Sequence, residues 1–220
     1  MNITSFAVSD EAALLYQFRY KTTLFKNPNI NPYLNAEISV RTVQQSDICP
    51  AQTYVYATQL NFMRQLDECL QSRYRIDFLK QRGFITYVLD GLPYTLYPPI
   101  VEYVDGVPLL IDGTHRITYA NGRKGDGKFT AVFIKGVAEN LKPSYIPSPV
   151  GWPGVQEFAN IEAVPPGYKK RIKRYKTDEL YQYYFRLYKF PGITKITRSS
   201  TGVNLDEAAL LAADIRNQGR

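Results

Sequence analysis

The 220-residue sequence is poor in the residues that build metal and redox centres, with one histidine, two cysteines and two methionines. Cys49 and Cys69 are too few for a disulfide framework or a cysteine-based metal cluster. No apolar run is long enough to span a bilayer, and the N-terminus lacks the basic start and long apolar core of a secretion signal. We therefore expect a soluble, cytoplasmic protein with no membrane partner.

Acidic residues are in the minority, since 27 Lys and Arg outnumber 20 Asp and Glu and give a net charge of +7. Most of this excess lies in residues 169–176, where six of eight positions are basic. The run predicts contacts with DNA or RNA phosphates, with the tyrosine-rich segment behind it available for base stacking. The alternative is a solvated face whose neighbouring tyrosines lie in the core. The candidate nucleic-acid contacts are Lys169, Lys170, Arg171, Lys173 and Arg174.

Hydrophobic periodicity and turn residues predict helices and strands along most of the chain. Residues 9–11 have the composition of a helix start, and a helical pattern runs from about 54 to 82, with Gly83 as its C-cap. The part of this pattern from Ile76 on either continues the helix or forms a second one. Asp105-Gly106 predicts a hairpin turn, and a further helix is predicted over 114–121. The predicted strands are 38–43, 84–89, 100–104, 108–111 and 129–134.

One stretch combines a strand end with the only histidine of the chain. An apolar run ends in Asp112-Gly113, and the triplet Thr114-His115-Arg116 then opens the predicted helix. A helix N-terminus has free backbone N–H groups and the positive end of the helix dipole, so it favours an anion. The histidine adds a side-chain donor, and the arginine offers a planar fork that suits phosphate. The stretch predicts a phosphate cradle; the alternative is a tight strand-to-helix turn whose basic residues only cap and solvate.

A second stretch matches a phosphate-binding motif in its letters only. Residues 122–128 fit the pattern G-x-x-x-x-G-K. A P-loop needs a strand before it, a helix after it and a Ser or Thr after the lysine. Here a predicted helix precedes, a predicted strand follows, and Phe129 occupies the hydroxyl position. We interpret the stretch as a flexible helix-to-strand loop.

The elements around the turn follow a recognisable order over residues 84–137. They are Pro98-Pro99-Ile100-Val101, then Asp105-Gly106, then Leu110-Ile111-Asp112-Gly113-Thr114-His115-Arg116, then a glycine-containing loop and an apolar strand. This order resembles the ParB/sulfiredoxin superfamily. The resemblance implies an α+β fold with a compact mixed sheet and helices over 36–138. An N-terminal helical extension (1–35) and a Pro-rich wrap with a basic, tyrosine-rich helical region (139–220) would flank it.

The resemblance also implies a site for a nucleoside triphosphate, ATP or CTP with Mg²⁺, used in phosphoryl transfer or hydrolysis. Matched to the family motif, Gly113, Thr114, His115 and Arg116 would contact the phosphates. An alanine at either of the last two should then remove nucleotide binding without unfolding the chain.

Three residues are candidates for catalysis under the same resemblance. Asp112 would hold magnesium or orient the acceptor, although an acid before a turn also serves as a local cap. Glu102 would act as a general base if its side chain faces the site. His115 is the third candidate, and no other histidine is present to replace it.

The sequence departs from three branches of the superfamily, and from two of them at Thr114. Sulfiredoxins have a reactive cysteine there that Thr cannot replace, which argues against repair of a sulfinic acid, and the related serine kinases have a second histidine. Partition ParB proteins have an arginine-rich box at this turn and a helix-turn-helix after it, which residues 139–220 match poorly. The alternatives to a nucleotide-using enzyme are a non-enzymatic DNA-binding, partition-like protein and a ParB-like nuclease.

Overall fold

The chain forms two main β-sheets and three α-helices within the part described by a computed structural model, residues 3–22, 29–123, 125–138, 148–166 and 168. The helices are α1 (Glu11–Tyr16), α2 (Ala57–Tyr74) and α3 (Thr114–Gly122). The strands are β1 (Ile3–Val8), β2 (Glu37–Val43), β3 (Cys49–Pro50), β4 (Tyr54–Tyr56), β5 (Ile85–Leu89), β6 (Leu92–Leu96), β7 (Ile100–Val104), β8 (Val107–Asp112), β9 (Phe129–Lys135) and β10 (Gln156–Phe158). The predicted α+β class is confirmed.

A five-stranded mixed sheet with the order β2-β9-β7-β8-β3 forms the centre of the fold. Strands β7 and β8 form the predicted hairpin, and β7 runs parallel to β9. Alternation along β7 assigns its side chains to two cores. Val101 packs in one core with residues of α2 and α3, and Ile100 packs in the other with residues of α1. The sheet is therefore covered on both faces.

A smaller antiparallel sheet, β1-β5-β6, packs beside the first core, to which Ile85 and Leu89 contribute. The sequence patterns predict β5, which is confirmed, and a turn at Asp90-Gly91 follows it. They do not predict β1 or β6. Strand β6 contains Pro93 and lies at the edge of the sheet, where a missing N–H is tolerated.

A single helix over 54–82 is correct in its centre and wrong at both ends, and the alternative of a second helix after Ile76 is matched by a short 3₁₀ turn at Phe78–Lys80. Its first three residues form β4 instead, and α2 ends at Tyr74. Arg75 adopts the left-handed conformation (φ 55°), and the amides of Arg75 and Ile76 close the last turn onto Gln71 and Leu70. Gly83 is therefore not the C-cap, contrary to the prediction.

Gly83 has a different role in the fold. A Cβ atom there would lie 2.0 Å from the carbonyl oxygen of Ser9, so the backbones meet at this point. Nearby, Asp10 accepts a hydrogen bond from the amide of Ala13 and caps α1, as the sequence predicts. Residues 169–220, with the predicted helices of the C-terminal region, lie outside the described residues, and the three proposed segment boundaries remain predictions.

Candidate phosphate-binding site

Gly113 connects β8 to α3 with a backbone that favours glycine. Its φ of 111° lies in the left-handed region, and a Cβ atom there would be 2.8 Å from the Cβ of Pro99. The Asp-Gly turn thus packs directly against the proline that precedes β7. This close approach fixes the direction in which α3 begins.

The first turn of α3 presents hydrogen-bond donors and no acid. Gly113 has no side chain to cap the helix, and the first turn holds no Asp or Glu. Thr114 is 6% exposed, and its hydroxyl has no hydrogen-bond partner among the described residues. Because the first backbone N–H groups of a helix lack intrahelical acceptors, this end of α3 is suited to an anion.

His115 is held as a neutral side chain beside the start of α2. Its Nε2 accepts a hydrogen bond from the backbone amide of Tyr56 at 2.9 Å, and the two ring centroids lie 4.9 Å apart. Burial lowers the pKa of His115 to about 4, so the ring is uncharged at neutral pH. With Nε2 acting as acceptor, the proton resides on Nδ1. Nδ1–H is then a donor with no partner within the described part of the chain.

The buried side chain of Arg116 stabilises the turn through hydrogen bonds. Its guanidinium donates to the carbonyl oxygen of Tyr97 and to Oδ2 of Asp112, and the residue is 9% exposed. The ion pair with Asp112 joins the end of β8 to the first turn of α3 and offsets the buried charge. The Arg116 guanidinium, predicted from the sequence to contact phosphate, therefore uses at least part of its donors to fix the strand-to-helix connection.

Asp112 and Glu102 occupy different environments. The side chain of Asp112 is 34% exposed at the start of the turn. Glu102 is 1% exposed and pairs in register with Ile134, which packs in the core on the α1 side of the sheet. Its Oε1 accepts a hydrogen bond from the hydroxyl of Tyr33 at 2.5 Å. The structure brings Asp112 together with the turn residues and places Glu102 on the opposite face.

Tyr56 is a site residue that the sequence patterns do not reveal. It is the N-cap of α2 and has no side-chain cap, so its bond to His115 brings the N-termini of α2 and α3 together. The amide of Thr58, two residues further, donates to the carbonyl of Ala159. The prediction that residues 54–56 are helical does not indicate this contact. The N-termini of α2 and α3 meet only because β4 ends where α2 begins.

The remaining sequence candidates lie elsewhere. The G-x-x-x-x-G-K stretch follows α3 and precedes β9, as predicted for a connecting loop rather than a P-loop. The basic residues of 169–176 lie outside the described residues. Within the described part, no group of three or more His, Cys, Asp and Glu side chains is arranged to hold a metal ion. No helix in those residues is long and apolar enough to cross a membrane.

Comparison with known proteins identifies the family. No curated protein and no solved structure gives a significant match. The profile of the ParB CE domain matches residues 13–156, a span that includes the five-stranded sheet, all of α2 and α3, and the Gly113 turn. This match covers more than half of the chain and agrees with the order of elements around the turn, so the protein belongs to the ParB CE domain family.

Proposed function

We propose that this ParB-family protein binds a nucleoside triphosphate, ATP or CTP, at the Gly113 turn and uses it in phosphoryl transfer or hydrolysis. The family assignment and the strand–turn–helix geometry support this reading. The observation that carries it is the set of donors at the start of α3. Backbone amides, the Thr114 hydroxyl and Nδ1–H of His115 gather where the helix dipole is positive and no acid lies in the first turn.

The donors at this site are neutral, which determines how a phosphate would be held. His115 is uncharged at neutral pH, and Arg116 is paired with Asp112. Binding then depends on hydrogen bonds and the helix dipole, as in backbone cradles that approach phosphate closely. We infer that Arg116 acts mainly by holding the turn in shape.

Magnesium fits this site with a small contribution from the protein. Mg²⁺ usually takes one or two carboxylates, with phosphate oxygens and water completing its coordination. Asp112, a third exposed at the start of the turn, would supply one carboxylate. When bound, the ion neutralises charge on the phosphate oxygens. Glu102 lies on the other face of the sheet, so its position does not support a role as general base.

A nucleotide titration of matched threonine variants tests the proposal. We expect ATP or CTP with Mg²⁺ to raise the melting temperature of the wild type, because a ligand that binds only the native state stabilises it. Thr114→Val keeps the side-chain shape and removes one hydroxyl donor, so the affinity should fall about tenfold. Thr118→Val, on the same helix but away from its start, is the control and should keep wild-type affinity.

Two results would contradict the phosphate site. One is a wild-type melting temperature that none of ATP, CTP, GTP and UTP raises. The other is a Thr114→Val protein that binds as tightly as the Thr118→Val control. The alternatives from sequence gain no structural support, since the basic run lies outside the described residues and no cluster of potential metal ligands is found in the described part.

A further inference from the structure

A cleft of about 410 Å³ opens near the other end of α3, away from the Gly113 turn. Its walls come from the turn after β2, the end of α3 with the loop that follows it, and the turn before β10. The residues that line it are Gln44, Gln45, Ser46, Asn121, Asp126, Gly127, Trp152 and Pro153. Thr114 and Asn121 are seven residues apart on the helix, so the two sites are separated by roughly 10 Å along its axis.

Trp152 gives this cleft a fixed aromatic wall. Its indole N–H donates to the carbonyl oxygen of Ile48 at 2.7 Å, which sets the orientation of the ring. The residue is half-buried and packs against the first core, so one part of the ring is supported and another part lines the cleft. A supported indole of this kind is suited to stack on a flat ring.

Polar side chains that make no hydrogen bond within the described part of the chain surround the indole. The amides of Gln45 and Asn121 and the hydroxyl of Ser46 make no hydrogen bond with any described residue. Each carboxamide offers a donor beside an acceptor. A ligand edge that presents an acceptor beside a donor would pair with such a group through two hydrogen bonds.

The charge of the cleft argues against an anionic ligand. Asp126 is its only charged lining residue among the described ones, and it pairs with Lys80 at 3.5 Å. A hydrogen bond from the backbone amide of Lys128 lowers the pKa of Asp126, which keeps the carboxylate ionised. A phosphate would meet this carboxylate without a dedicated cation, whereas a neutral ring would not be repelled.

We propose that the cleft binds the uncharged base of a nucleoside, stacked on Trp152 and read by Asn121 and Gln45. Stacking requires only the face of the base, and a carboxamide recognises its edge, as Asn and Gln do with adenine. The cleft is a second recognition site, independent of the phosphate turn. It requires no phosphate, and adenosine or cytidine alone is a sufficient ligand.

The chain contains one tryptophan, so its fluorescence reports on this cleft alone. Titration with adenosine and with cytidine, excited where tyrosine does not absorb, should change the Trp152 emission in a saturable way. Asn121→Ala should weaken nucleoside binding about tenfold, since a bidentate contact to a base contributes discrimination of about that size. Gln65→Ala removes an exposed amide from α2, outside the cleft, and should bind as the wild type does.

Each further outcome supports or contradicts nucleoside binding in the cleft. A wild-type emission that neither nucleoside changes, an Asn121→Ala protein that binds normally, or saturation by methyl glucoside instead of a nucleoside would overturn the proposal. Thr114→Val should leave the nucleoside titration unchanged, because its hydroxyl lies at the other end of α3. Failure of nucleotide binding at the turn is thereby distinguishable from failure of the cleft.

Discussion

The first turn of α3 and the Arg123 side chain at its C-cap satisfy their polar groups in opposite ways. At the N-terminal end, Thr114 and His115 keep donors that no described residue uses. At the C-terminal end, Arg123 forms an ion pair with Asp67, with Nε 3.0 Å from Oδ2, and donates a hydrogen bond to Oδ1 of Asp77 at 2.9 Å. The network at that end also includes the hydroxyl of Tyr119, which donates to Asp67 at 2.7 Å.

This difference separates a structural network from the proposed phosphate site. Buried polar groups that all find partners rigidify a fold, and groups kept without partners carry a cost unless a ligand or water satisfies them. The Arg123 network joins α3 to α2 and to the turn at Phe78–Lys80, and so fixes the position of the C-terminal end of α3. The same helix then presents its other end in a fixed position.

Breaking the C-terminal network should have the largest effect on stability. Arg123→Met leaves Asp67, 3% exposed, without its cation, and should lower the free energy of unfolding by about 4 kcal/mol. Urea unfolding measures this loss. Arg64→Met is the matched control, because Arg64 and Glu68 form an exposed pair on α2 and its loss should cost less than about 1 kcal/mol. Equal losses in the two variants would show that the network does not stabilise the fold.

At the N-terminal end of α3, we expect His115 to make the free energy of unfolding depend on pH. Burial lowers the pKa of His115 from 6.5 to about 4, so between these values the unfolded chain binds more protons than the folded one. Stability is therefore lost as the pH falls from about 6.5 to about 4, by about 3 kcal/mol in total.

The control for this pH dependence keeps the contact and removes the titration. In His115→Gln, the amide oxygen replaces Nε2 as acceptor for the Tyr56 amide and does not ionise in this range. The difference in unfolding free energy between the two proteins, followed from pH 6.5 to 4, isolates the histidine from the carboxylates that also titrate there. A constant difference across that range would mean that the imidazole is as readily protonated in the folded protein as in the unfolded one.

The sequence predicts elements whose signals are local. The Asp105-Gly106 hairpin, the cap at Asp10 and the start of α3 after Gly113 depend on short-range turn and capping chemistry, and all are confirmed. The end of α2 is mispredicted because Arg75 adopts a conformation that is usually left to glycine. Strand β1 is missed because its pairing partner, β5, is distant in sequence.

In the candidate site, too, the residues with local sequence signals are predicted and those that depend on tertiary packing are not. Residues 112–116 are adjacent in sequence, so one motif identifies them together. Tyr56 and Tyr97 reach the turn only through tertiary packing, and no spacing in the sequence indicates them. The inward direction of Arg116 also depends on this packing, since a basic residue beside a turn is expected to face solvent. Residue type alone does not distinguish an arginine that contacts a ligand from one that stabilises the turn.

The smallest expected effect comes from a threonine pair on α3 that compares its start with its middle. The hydroxyl of Thr118 is buried without a hydrogen-bond partner among the described residues, and valine has the same shape and a similar helix propensity. Thr118→Val should therefore raise the free energy of unfolding by about 1 kcal/mol in urea and leave nucleotide affinity unchanged. Thr114→Val should show the reverse, with weaker binding and little change in stability. A loss of stability in Thr118→Val would mean that its hydroxyl is satisfied in solution, and the middle of α3 would then resemble its C-terminal end.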